Sequence, residues 1–234
     1  MMETNPQPPA PPTSILRRLV VIDTAVSRHL HSAAQPILPR SFLKALEISG
    51  DGRLFFPLAI SLLLSPLCTT SSPRLRFLLA DLLVGGVLDI IFVGLIKHLV
   101  RRPRPVYNKG MFLTFAVDHW SFPSGHSSRV WFVAAFLSLS SPVIGEALAQ
   151  LRSARVEFVD KLFILAGLDD SRALNFVVVL LCSWAAVTSV SRVLLGRHFV
   201  CDVIAGSCLG ILEALIVIHI LNYSILSQFY DMKL

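Results

Sequence analysis

Two histidines, three basic residues and an aspartate recur in three short clusters whose residue types suit the transfer of a phosphoryl group. The first is "KHLVRRPRP", in which Lys97, Arg104 and Pro105 form K-x6-R-P. The second is "FPSGH", with Pro123, Ser124, Gly125 and His126. The third is "SRVLLGRHFVCD", in which Ser191, Arg192, His198 and Asp202 form S-R-x5-H-x3-D. Each alone has an ordinary explanation. Basic residues at a span's end anchor it in the headgroups, Ser-Gly before a helix is a cap, and His and Asp four apart share a local hydrogen bond. Together they supply every part of one reaction.

A phosphoryl group under attack spreads negative charge over its equatorial oxygens, so catalysis is mostly positioning and electrostatic stabilisation. Lys97, Arg104 and Arg192 are the cations expected around those oxygens, the arginines with bidentate geometry. Ser124 and Gly125 are expected to offer backbone N–H groups at a helix N-terminus, an anion site. Asp202 is expected to hold the proton on one nitrogen of His198, leaving the other to attack phosphorus. His126 then protonates the leaving oxygen. No carboxylate cluster resembles a magnesium site, and three cations suffice to neutralise phosphate, so the expected chemistry needs no metal and no cofactor. Arg197 either joins the phosphate site or pairs with headgroups; the residues leave both open.

Such clusters work only if the chain brings them together. Of 234 residues, 54% are hydrophobic and 15% charged, against about 25% charged in an ordinary soluble domain. Apolar runs are read over Leu54–Cys68, Phe77–Leu99, Ser127–Pro142, Leu174–Leu195 and Val203–Asn222. Spans alternate direction, so the end of the second, the start of the third, the end of the fourth and the start of the fifth share one membrane face. The three clusters fall at those four places. Asp81 and Asp89, inside the second span, are read as hydrogen-bonding a neighbouring helix.

The rest of the chain is organised around this bundle. Residues 1–14, "MMETNPQPPAPPTS", read as a disordered Pro-rich tail without the apolar core of a signal peptide. Residues 15–53 read as an amphipathic interfacial helix and linker, and 54–228 as the membrane domain. The segment from Gly145 to Ala173 reads as a mixed-charge connection. The net charge of +6 lies between apolar segments rather than in a stripe interleaved with aromatics. That excludes a nucleic-acid binder and favours anionic headgroups or a phosphorylated lipid as partner. The four cysteines have no metal spacing and no disulfide framework.

The three motifs, in this order, resemble the signature of the type 2 phosphatidic acid phosphatase family, and all eleven fixed positions match between Lys97 and Asp202. The resemblance implies an all-α, polytopic membrane bundle of five or six transmembrane helices with a six-helix core. It implies a phosphohistidine on His198 oriented by Asp202, with His126 protonating the leaving group and then activating water. Lys97, Arg104, Ser124, Gly125 and Arg192 bind phosphate in this scheme. The short chain, the Pro-rich tail and "LEISGDGRLFFP" are most similar to the polyisoprenoid diphosphate phosphatase branch, which implies an isoprenoid diphosphate substrate. Arg101, Arg102 and Lys109 are then candidates to hold a second phosphate. The rival readings are a lipid phosphotransferase, a vanadate-dependent haloperoxidase, and a transporter or other non-catalytic membrane protein that binds phospholipid. The expected location is a multi-pass protein of the endoplasmic reticulum, the side faced by the motifs being open.

Overall fold

The structure, a computed structural model, describes residues 14–65, 73–107, 119–153 and 170–221. Most of the Pro-rich tail, Cys68, Lys109 and the segments 154–169 and 222–228 lie outside the described residues. All named elements are helical: α1 (Ile15–Ala34), α2 (Arg40–Ser49), α3 (Gly52–Leu64), α4 (Pro73–Val100), α5 (Gly125–Leu139), α6 (Ser141–Ser153), α7 (Asp170–Leu194) and α8 (Val200–Ile216). A π-helical turn, Val217–Leu221, continues α8.

Helix α1 starts where Ser14 accepts a hydrogen bond from the Arg17 amide at 3.3 Å, so Ser14 caps the helix rather than closing the tail. Its amphipathic pattern faces an unusual way. Asp23 and Ser27 are buried against the protein, while Leu19, Ile22, Val26 and Leu30 face outward. An outward apolar face suits a helix embedded in lipid at its rim. Helix α2 follows Pro39 and stops at Gly50, and Asp51 caps α3 by accepting from the Arg53 amide at 2.8 Å.

Helices α4, α7 and α8 with its π turn are long and apolar enough to cross a membrane. Helices α5 and α6 together pass the same test but bend by 65° at Ser140. A helix running straight through would need the Pro142 amide to bond the Ser138 carbonyl, and proline has none, so a new helix begins with Pro142 in its first turn. The described residues therefore give three spans, or four with the bent pair, where five or six were expected. Helix α3, at 13 residues, is about 20 Å long and falls short of the roughly 30 Å hydrocarbon layer. The fold class holds: the chain is an all-α, multi-pass membrane bundle, with Val84, Ile91, Val179 and Ile211 facing outward.

The core is the α5–α8 seam. A Cβ on Gly206 would strike the Ser124 carbonyl, and one on Gly210 the Ser128 carbonyl, so the two backbones touch there. Leu78, Leu79 and Leu82 of α4 pack with Phe132 and Phe136 of α5 and with Ala214 and Val217. Beside them lies a buried polar group: Arg129 of α5 pairs with Asp89 of α4 at 3.0 Å, next to Glu213 of α8. Asp89 thus ties α4 to α5, by an ion pair where a hydrogen bond was expected.

Candidate active site

The four helix ends that carry the motifs converge. His198 lies in the turn between α7 and α8 and is 2% exposed. Its Nδ1 is 2.8 Å from the Ser121 carbonyl oxygen, and its Nε2 is 3.2 Å from Nη1 of Arg104. A carbonyl only accepts and a guanidinium only donates, so the network assigns the proton to Nδ1 and the lone pair to Nε2. Burial, then Arg104, Arg192 and Lys97, hold this imidazole well below its ordinary pKa, so it is neutral at pH 7. A neutral ring with a bare Nε2 is the nucleophilic form.

Asp202 stands elsewhere than expected. Its carboxylate is 3.8 Å from His198 Nδ1, beyond hydrogen-bond reach. It accepts instead from the Phe199 amide at 2.9 Å and from Arg102 Nη1 at 2.8 Å. The acceptor that fixes the His198 tautomer is Ser121, whose own amide and hydroxyl are tied to the carbonyls of Arg102 and Pro103. Asp202 acts on His198 through the loop: it caps α8 and anchors Arg102, whose guanidinium lies 4.0 Å over the Phe199 ring.

The first turn of α8 is secured from α1. Ser27 Oγ accepts from the Val200 amide at 2.9 Å, and Asp23 Oδ1 from the Cys201 amide at 3.0 Å. Asp23 also pairs with Arg102 at 2.7 Å, so Arg102 sits between two carboxylates. Its charge is used inside the fold, which removes it as a holder of a second phosphate. Arg101, the other flanking cation described, donates to the His98 carbonyl at the end of α4.

The expected phosphate ligands gather around His198. Lys97 is buried at the end of α4. Arg104 also donates to the Arg197 carbonyl at 2.8 Å. Arg192 is fully buried, and its Nη1 lies 2.8 Å from Glu47 Oε1. Its Nε, Nη1 and Nη2 have no hydrogen-bond partner, an arrangement suited to an anion with several acceptor oxygens. Arg197 is buried too and reaches the same Glu47 at 3.4 Å, so it belongs to this interior rather than to the headgroups. Burial alone would raise the Glu47 carboxyl, but Arg192 and Arg197 outweigh it and hold the group below its ordinary value.

Ser124 is half of what was expected. It caps α5 through its hydroxyl, but its amide is spent on the Asp202 carbonyl at 2.9 Å. The anion-facing amides of the α5 N-terminus are therefore those of Gly125 and His126. His126 Nε2 has no hydrogen bond, and the Asp51 carboxylate lies 3.9 Å away. Gly50 allows this approach: a Cβ there would meet Val130 at 2.9 Å and sit 3.7 Å from the His126 ring.

Five residues around the site carry no signal in the motifs: Asp23, Ser27, Glu47, Asp51 and Ser121. Ser121 acts through its carbonyl, which every residue has. Asp51 was visible only as part of the Gly-Asp-Gly turn, and Glu47 only as one letter of the linker stretch "LEISGDGRLFFP". Asp23 and Ser27, four apart on α1, are polar residues buried on a helix whose Leu19, Ile22, Val26 and Leu30 face outward, whereas amphipathic patterning places polar residues toward solvent.

Residues 78–226 match the profile of the PAP2 superfamily. A protein from Arabidopsis thaliana, described as "Probable lipid phosphate phosphatase beta", is 42% identical over 216 residues, covering 92% of this chain and 96% of that one. Among solved structures, the first transmembrane PAP2-type phosphatidylglycerolphosphate phosphatase from Bacillus subtilis superposes with a TM-score of 0.60 at 19% identity, covering 93% of this chain and 88% of its own. LpxE from Aquifex aeolicus gives 0.55 at 22% identity, covering 84% and 94%. At those identities the two structures speak for the fold. The profile match over the motif-bearing helices and the near full-length relative, taken together, make this chain a member of the PAP2 superfamily.

Proposed function

We propose that the protein is a membrane lipid phosphate phosphohydrolase that works through a phosphohistidine on His198, without a metal. The observation that carries this is the His198 pair of contacts: Nδ1–H held by the Ser121 carbonyl at 2.8 Å, and Nε2 turned to a cation at 3.2 Å. In the first step the Nε2 lone pair attacks phosphorus, the bond from phosphorus to the lipid oxygen breaks, and His126, which enters the step as an imidazolium beside the Asp51 carboxylate and the bound phosphate, gives that oxygen a proton. In the second step water attacks phosphorus, its proton goes to His126, and the bond between phosphorus and nitrogen returns its electrons to Nε2. Lys97, Arg104 and Arg192 with the Gly125 amide stabilise the charge spread over the equatorial oxygens. Asp202 keeps the His198 loop in register.

The finer reading is an isoprenoid diphosphate as substrate and the endoplasmic reticulum as location. Its support is the stretch "LEISGDGRLFFP", the α2–α3 elbow that carries Glu47, Gly50 and Asp51 beside Arg192 and His126. Arg102 no longer adds to it. The name of the Arabidopsis relative supports lipid phosphates more broadly. The outward apolar faces of α1, α4, α7 and α8 suit a substrate that stays in the bilayer while its phosphate enters.

The test is phosphate release by purified protein in excess chelator from isoprenoid diphosphates, isoprenoid monophosphates, phosphatidate and sphingoid phosphates. Release from at least one, fastest for an isoprenoid diphosphate, is expected. Turnover that requires added magnesium would end the metal-free mechanism, and preference for phosphatidate would end the isoprenoid assignment alone.

A further inference from the structure

Two buried arginines of the site, Arg192 and Arg197, already hold an anion, and it belongs to the protein. Glu47 places Oε1 at 2.8 Å from Arg192 Nη1 and 3.4 Å from Arg197 Nε, and Oε2 at 3.5 Å from Arg197 Nη2. A carboxylate and a phosphate present similar oxygen pairs to a guanidinium, so the two ions compete for the same fork. Arg192 has no exposed surface, so its charge is neutralised from within the protein. Yet Glu47 serves that guanidinium incompletely: it faces Nη1 as an ion pair, and Nε, Nη1 and Nη2 all lack a hydrogen-bond partner. A phosphoryl group has three equatorial oxygens and can serve more of those donors at once.

The carrier of Glu47 is built to be separable from the spanning bundle. Helix α2 has ten residues, is bounded by Pro39 and by Gly50, and buries Leu43 as its one fully covered side chain. Its other anchors are small: Ser49 accepts from the Trp184 indole of α7 at 2.9 Å, and Gly50 lies against Val130 and Thr188. The motif side chains themselves sit on the ends of spans that are locked by the α5–α8 seam.

We infer that Glu47 is the resident counter-anion of the phosphate site: it neutralises Arg192 and Arg197 between turnovers and gives up Arg192 when a phosphoryl group enters. This rests on the reading that the cradle binds phosphate. It makes Glu47 a specificity-determining residue, since an entering anion must outbid a carboxylate. A dianionic phosphate can do so, and a lipid carboxylate of equal charge gains nothing by exchange.

The experiment compares equilibrium binding of inorganic phosphate to full-length, detergent-solubilised wild type and Glu47→Gln, alongside phosphate release from the best lipid substrate by wild type. Glutamine keeps the shape and loses the competing charge, so phosphate is expected to bind about tenfold or more tighter, the scale of one charged hydrogen bond. Unchanged or weaker binding in Glu47→Gln overturns the inference, and weaker binding is what a residue that merely props Arg192 would give. Should that variant fail to fold, Glu47→Asp decides by the same criterion, because the shorter side chain withdraws the charge by one methylene. Hydrolysis by wild type with no gain in affinity removes the counter-anion role alone. Absence of both hydrolysis and phosphate binding in wild type takes down the phosphatase reading and this inference with it.

Discussion

Two groups of buried charge are strung along the same helices, and they serve different ends. At the helix ends Lys97, Arg104, Arg192 and Arg197 gather near His198, with Glu47 paired to Arg192 and Arg197 and with Asp202 3.8 Å from the His198 ring. Deeper in the bundle Arg129 faces two carboxylates, Asp89 and Glu213. Asp89 precedes Lys97 by eight residues on α4, about 12 Å along the helix. Burial of charge is common to both and so does not mark chemistry. The setting of the charge does: at the helix ends it lies around the reacting histidine, where a phosphate is proposed to bind, whereas Arg129 and its carboxylates tie α4, α5 and α8 to one another.

That contrast can be broken most decisively at His198. His198→Ala is expected to fold and to lose about 10⁴-fold or more in turnover, read as phosphate release per folded molecule. Arg192→Ala comes next, with an expected loss of roughly a hundred- to a thousandfold in kcat/KM; full activity would remove Arg192 from the phosphate site. The deeper group should respond in stability. Arg129→Leu leaves Asp89 a buried charge without its partner and is expected to cost about 3–5 kcal/mol, measured as unfolding in detergent. The molecules that do fold should keep activity within about tenfold, if the group is structural.

The smallest expected effect is a displaced limb in the pH profile. The active form of His198 is neutral, and burial with three neighbouring cations disfavours its protonation. As pH falls through the ordinary histidine value of about 6.5, the ring therefore stays neutral. The acid limb of kcat/KM, corrected for the substrate's own ionisation, should lie below that pH. A limb at or above it would mean that the cations are not where their electrostatic effect requires.

What could be read from the sequence was the set of side chains that chemistry needs by type. Lys97, Arg104, His126, Arg192 and His198 announce themselves because lysine, arginine and histidine are rare at span ends in such spacing, and alternation of spans puts them on one face. The contributions of α1 and α2 could not be read, because Asp23, Ser27 and Glu47 look like solvated positions until the packing turns them inward. The partner of His198 was misjudged for a related reason: an aspartate one helical turn away is the obvious acceptor, and a main-chain carbonyl has no letter. The broken span needed the geometry at Ser140 and Pro142 to be seen, and the close approach of α8 to α5 at Gly206 and Gly210 likewise came from the structure.

The caps that α1 places on α8 bear on where the enzyme can be cut. The family match begins at residue 78, and every motif residue lies after it. A fragment trimmed to that boundary would keep the full signature and lose Asp23, Ser27, Glu47 and Asp51. It would have the first amides of α8 unserved, Arg102 short of one carboxylate and Arg192 stripped of its own. The stretch that identifies the enzyme is thus smaller than the stretch that operates it, and grafting the motif helices onto a foreign N-terminus would transplant the signature without its supports.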